Sequence, residues 1–177
     1  PDIAIFGKAL GNGYAITAII GRREVMESAQ STFISSTFWT ERIGPAAALK
    51  TLEVMDRVKS WEKITSIGKN IGSRWKGLAK KHELEIVING IPSMTGFILG
   101  YEDWIKYKTY ITQEMLKNNI LATNLFYACT EHTSQHIDIY SEVLDYIFKN
   151  IRECEEGKSI DQLLKGHVCH SGFQRLN

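Results

Sequence analysis

Residues 1–21 read PDIAIFGKALGNGYAITAIIG. Two apolar runs, Asp2–Phe6 and Ala15–Ile20, flank a turn that holds Lys8 among Gly7, Gly11 and Gly13. Each run is too short for a helix and is bounded by glycine, so both read as β-strands. After Asp2 the first is continuously apolar, which predicts a strand covered on both faces. Loops at the ends of parallel strands are where α/β proteins bind ligands, and glycines let the backbone turn tightly and let a ligand approach closely. Most lysines are solvated cations, and that is the plain alternative for Lys8. A desolvated lysine has a lowered pKa and acts as an imine-forming nucleophile. The stretch is neither a G-x-x-x-x-G-K-[ST] phosphate loop nor a complete G-x-G-x-x-G.

Outward from this turn, Arg22–Ala29 reads as a short charged helix and QSTFISSTFWTERIG, residues 30–44, as irregular. Pro45 suits the first turn of a helix that Ala46, Ala47, Leu49, Leu52 and Met55 continue. Ser60 is placed to cap a second helix over Trp61–His82. Its apolar stripe is Trp61, Ile64, Ile67, Ile71, Trp75 and Leu78. Glu85–Ile88 and Met94–Leu99 read as strands around an Asn89-Gly90-Ile91-Pro92 turn. Trp104–Asn118 is helical, with Trp104, Ile105, Lys108, Ile111 and Met115 on one face. Ile120–Cys129 reads as a strand and loop. Thr133 or Ser134 caps a helix to about Glu153 with stripe Ile137, Tyr140, Leu144, Ile147 or Phe148, and Ile151; Gly157 stops it. A short helix over Ile160–Lys165 follows.

Lys and Arg number 21 and Asp and Glu 20, so no global field draws the chain to nucleic acid or an anionic membrane. No apolar run reaches the roughly 18–20 residues of a membrane helix. Three cysteines, Cys129, Cys154 and Cys169, do not make a disulfide framework, and a reducing, cytoplasmic setting is expected. Cys154, His167, Cys169 and His170 lack zinc-site spacing, so no metal is expected. Glu131, His132, His136 and Asp138 form either a catalytic cluster or, more plainly, a helix cap and its first turn. Ser35, Ser36 and Thr37 are hydroxyl donors before a helix, a combination that can hold a phosphate or simply cap the helix.

Three segments together resemble one family. Residues 1–26, PDIAIFGKALGNGYAITAIIGRREVM, resemble the lysine region of class-III, pyridoxal-phosphate-dependent aminotransferases. Residues 34–55, ISSTFWTERIGPAAALKTLEVM, and 118–140, NNILATNLFYACTEHTSQHIDIY, resemble segments that follow it there. The nearest members by pattern are the glutamate-1-semialdehyde aminomutases and aminotransferases like them. The resemblance implies an α/β, fold-type-I architecture: residues 1–58 from the end of the cofactor-binding large domain, 59–82 a connecting helix, and 83–177 a small α+β C-terminal domain. It implies pyridoxal 5′-phosphate as cofactor, with Lys8 as the Schiff-base lysine and proton shuttle. Ser36 and Thr37 would hold the cofactor phosphate in a homodimer with a shared active site. The implied reaction is ping-pong transfer of an amino group from a small amine or amino acid.

The segment Thr37–Pro45, TFWTERIGP, departs from the Ser-Gly-Asn-Pro that follows the threonine in the aminomutases. That favours an aminotransferase, with the aminomutase as the alternative. A second alternative is a non-catalytic association domain. The family places a pyridine-pairing Asp, a phosphate loop and a ring-stacking aromatic residue before the lysine, and the sequence opens only just upstream of Lys8. A C-terminal fragment that binds cofactor weakly and does not turn over is therefore expected. His167, His170 and Arg175 are the tail residues that could reach a substrate carboxylate.

Overall fold

The structure, a computed structural model, describes residues 1–172. It divides into two compact units, with the break between Ser60 and Trp61. Arg175 lies outside the described residues.

In the first unit, strands β1 (Ile3–Phe6) and β2 (Ala18–Gly21) pair antiparallel, from Ile3 opposite Gly21 to Phe6 opposite Ala18. The expected covering of both faces is not found within this unit. Among the described residues β1 and β2 pair only with each other, and Ile5 and Ile20 are 73% and 58% exposed. A single 3-10 turn at Lys8–Leu10 begins the connection between them. Its tightness depends on Gly11, where a Cβ would stand 2.1 Å from the Tyr14 carbonyl oxygen. Helix α1 (Arg23–Met26) and a 3-10 segment (Glu27–Ser31) follow. Helix α2 (Ile43–Val58) packs against the Lys8 turn. Pro45 sits in its first turn, where a missing N–H costs nothing. Ala48 is buried, whereas Leu49 and Leu52 are exposed.

Helix α3 (Ser60–Lys81) follows α2 across Lys59, whose φ of 50° is left-handed and stops α2. Ser60 is therefore the first helical residue rather than a cap, and its buried hydroxyl has no hydrogen-bond partner among the described residues.

In the second unit, β3 (Ile86–Ile91), β4 (Met94–Leu99) and β5 (Leu125–Tyr127) form an antiparallel sheet in that order. The β3–β4 ladder runs to Ile91 opposite Met94, so the turn is Pro92-Ser93, two residues later than expected. Gly90 keeps this possible by taking a φ of 82° inside the strand. β5 is shorter than the Ile120–Cys129 run, because Asn124 holds Phe97 through both backbone and side chain. Helix α4 (Trp104–Lys117) buries Tyr107, Tyr110, Ile111 and Met115, so its inner face is set by two tyrosines rather than by Ile105 and Lys108. Helix α5 (Ser134–Glu155) buries the expected stripe, with both Ile147 and Phe148 fully enclosed. Gly157 (φ 112°) follows its end. Residues Ile160–Gln162 make only one 3-10 turn.

The core of this unit gathers around the Phe97 ring. Trp75, Phe148 and Trp104 meet it edge-on at centroid distances of 4.8, 5.8 and 6.1 Å. Such edge contacts add to area burial. Trp75 donates its indole N–H to the Tyr140 hydroxyl at 2.9 Å, so the one polar atom of that ring is satisfied. Helix α3 crosses the β3–β4 turn at Gly68, where a Cβ would lie 1.6 Å from the Pro92 carbonyl oxygen.

Candidate active site

Lys8 directly follows β1 and Gly7, and its backbone has a φ of 47°. Left-handed backbone is costly for a residue with a Cβ. Two carbonyls stabilise the turn nonetheless: the Gly7 oxygen accepts from the Leu10 N–H, and the Lys8 oxygen from those of Gly11 and Asn12. Sparsely populated backbone held in place by its surroundings concentrates at functional sites.

The turn forms one wall of a cleft of about 1150 Å³ within the first unit. Lys8, Tyr14, Ser36, Phe38, Trp39 and Glu41 all line it. Among its described lining residues, Lys8 carries the one cation and Glu41 the one carboxylate. Lys8 is exposed, so the desolvation expected of it is not supplied by these residues.

The hydroxyl segment meets the same cleft from the other side of the sequence. Ser35 and Ser36 line it; Thr37 is exposed and is not among the lining residues. The Ser36 Oγ accepts the Phe38 N–H at 3.2 Å, and the Ser36 carbonyl accepts that of Trp39 at 3.2 Å. This local turn fixes the serine and leaves its own O–H free to donate. Tyr14, Trp39 and Glu41 were not singled out from the sequence. The signal was there in Phe38-Trp39, an aromatic pair in an otherwise polar stretch.

The other candidates are arranged differently. Thr133 caps α5: its Oγ1 accepts the His136 N–H at 3.3 Å, and the His136 Nδ1 accepts the Thr133 N–H at 3.3 Å. The cluster of Glu131, His132 and His136 is thus a helix cap and its approach. Asp138 pairs with Arg74 at 2.6 Å. His132 leans on Phe126 at a centroid distance of 4.9 Å, and its Nδ1 accepts the Cys129 N–H at 3.2 Å. Burial, and then the neighbouring His136, holds the His132 pKa below its ordinary value. In the tail, the Cys169 N–H donates to the Thr109 hydroxyl at 3.0 Å.

A strand, a lysine in a glycine-rich turn and a hydroxyl segment around one cleft can be compared with known proteins. A curated relative, the 3-aminobutyryl-CoA aminotransferase of Cloacimonas acidaminovorans (strain Evry), is 30% identical over 159 residues. That match covers 86% of this chain and 37% of the relative. The glutamate-1-semialdehyde 2,1-aminomutase of Methanocaldococcus jannaschii is 28% identical over 170 residues, covering 89% and 39% respectively. The solved FumI protein of Sphingopyxis sp. MTA144, in its PLP internal aldimine form, superposes with a TM-score of 0.80 at 21% identity. It covers 93% of this chain and 40% of that one. The chain therefore spans about two fifths of the length of these proteins and shares the fold of that part of PLP-dependent transaminases. The family model for class-III aminotransferases matches residues 1–125. The chain belongs to the class-III aminotransferase family.

Proposed function

We propose that this chain supplies the lysine side of a PLP-dependent aminotransferase site, with Lys8 as the Schiff-base residue. The observation that carries the reading is Lys8 itself: one amine, held on left-handed backbone, in a cleft that also receives Ser36. These residues fit the cofactor. A primary amine suits its aldehyde, a serine O–H with an unspent proton suits its phosphate, and the faces of Tyr14, Phe38 and Trp39 suit its ring.

When bound, pyridoxal phosphate supplies an aldehyde for exchange with amines and a ring that takes up the electron pair of a breaking Cα–H bond. Lys8 Nζ would be the attachment point, and its free amine would hold and return the substrate Cα proton. Ser36 Oγ–H donates to the phosphate; the Thr37 hydroxyl is a second donor in a homodimer whose site is shared. Amino donor and acceptor are then small amines, amino acids or oxo acids. The free thiols of Cys129, Cys154 and Cys169 support a reducing, cytoplasmic setting.

The relative from Methanocaldococcus jannaschii supports a second reading, intramolecular amino transfer. A half-reaction assay on the enzyme with and without an oxo acid separates the two, since only the transaminase needs a second acceptor. The test of the site comes first. The chain is mixed with pyridoxal phosphate, reduced with borohydride and mapped by peptide. A phosphopyridoxyl group on Lys8, absent in Lys8→Ala, is expected. A label scattered over the other lysines would mean that this chain does not build the site by itself, and the same scatter in a full-length parent would overturn the assignment.

A further inference from the structure

A second cavity, of about 270 Å³, lies within the second unit, between β5 and the start of α5. Its floor is apolar, with Ala122, Phe126 and Ile137, and Leu125 stands at its rim. The side chains lining it include no Lys, Arg, Asp or Glu.

Two of its lining residues have hydrogen-bond donors that the protein does not use. The His132 Nδ1 accepts the Cys129 N–H, so in the neutral ring the proton sits on Nε2, and no acceptor for it is found among the described residues. The Tyr140 oxygen accepts the Trp75 indole N–H, and its own O–H likewise has no acceptor among them. Tyr140 is 6% exposed. Burial pushes its pKa up, so it stays a donor across the ordinary pH range. Burial, and then His136, holds the His132 pKa below its ordinary value, which favours the neutral ring. Two donors, no side-chain anion and an apolar floor select for a ligand with an acceptor head and an apolar body. Pockets for drug-sized ligands begin at about 300 Å³, so the ligand is small.

We propose that this cavity is a binding site for a short organic acid, its carboxylate on His132 Nε2 and the Tyr140 hydroxyl and its hydrocarbon on Phe126 and Ile137. Its lining residues all belong to the second unit, and its occupancy needs no cofactor.

The probes are sodium butyrate and sodium benzoate, with n-butylamine as the control of opposite charge. The readout is the ring resonances of histidine in the ¹⁵N-labelled chain. The acids are expected to give saturable shifts at His132 and to raise its titration midpoint, while butylamine leaves it unmoved. His132→Phe keeps a ring against Phe126 and removes the donor; read at the ring of His136, which also lines the cavity, it should weaken binding about tenfold or more, the cost of one hydrogen bond to a charged group. Ala122→Phe fills the cavity but leaves both donors, and should abolish the shifts. The proposal is overturned if no saturable shift appears at His132, if butylamine acts alike, or if Ala122→Phe binds as well as the unaltered chain.

Discussion

The left-handed backbone of Lys8 makes a prediction that separates stability from chemistry. Holding an L-residue there costs about 1–2 kcal/mol, whereas glycine pays about 0.5–1 kcal/mol in entropy. Lys8→Gly should therefore leave stability unchanged or raise it by up to about 1.5 kcal/mol. The same variant should lose the borohydride-fixed label. Urea midpoints and peptide mapping on one preparation check both. A clear destabilisation would mean that the lysine side chain carries structural contacts. At this scale the sequence was informative about identity and silent about conformation. The glycines announced a tight turn. Nothing in GKALGNG announces that the lysine, rather than a glycine, takes a φ of 47°.

Helix α3 carries an internal control, because two of its glycines meet opposite surroundings. At Gly68 an added methyl would collide with the Pro92 carbonyl, and at Gly77 it would meet nothing within 4 Å. Gly68→Ala should cost roughly 1–3 kcal/mol or more, since the obstacle is backbone. Gly77→Ala should gain about 0.5–1 kcal/mol from helix propensity alone. Thermal melts of the two variants should move in opposite directions.

Helix α5 responds to pH at two points. His132, just before it, has a lowered pKa, so its stabilising contribution is complete above the ordinary 6.5 and is lost as pH falls through the lower folded value. Asp145, on α5, accepts from Lys81 and His82 at 2.6 Å each. Burial raises its pKa, but these two bonds outweigh burial and leave it below 3.8. Its contribution is complete above 3.8 and is lost as pH falls through the folded value. Acidification should lower the melting temperature in two stages, and His132→Gln should remove the first. Periodicity found α5 and its Thr133 cap, because both are local. It misjudged the inner face of α4, where Tyr107 and Tyr110 are buried; burial pushes both hydroxyls up in pKa, and the Tyr107 O–H donates to the Glu155 carboxylate. Aromatic residues with a polar tip belong to either face until a partner is known.

At the scale of the molecule, the two units differ in how much core they own. The second encloses Phe97, Trp75, Ile111 and Leu144 completely. In the first, Ala48 is the buried hydrophobic side chain among many exposed ones. Local opening is easiest where few apolar contacts hold a segment. Amides of β1 and β2 should therefore exchange with deuterium well before those of β4, as read by mass spectrometry on peptic fragments. Equal protection would contradict this ordering. The family and the second unit's core were legible in the sequence because they rest on contiguous motifs and helical periodicity. The exposure of β1 and β2 was not, since a continuous apolar run records what a strand can bury and leaves open which side it finds a partner on.

Trp39 stands 69% exposed in the same cleft as Lys8, while Trp75 is fully buried. Exposed indoles emit toward the red and enclosed ones toward the blue, so Trp39 contributes to the red part of the emission together with Trp61, which is 44% exposed. A pyridoxyl chromophore fixed on Lys8 absorbs where tryptophan emits. The cleft thus contains its own optical gauge: energy transfer from Trp39 to a pyridoxyl group on Lys8 should dim the indole emission, and Trp39→Phe should remove that loss, reporting occupancy without an added dye.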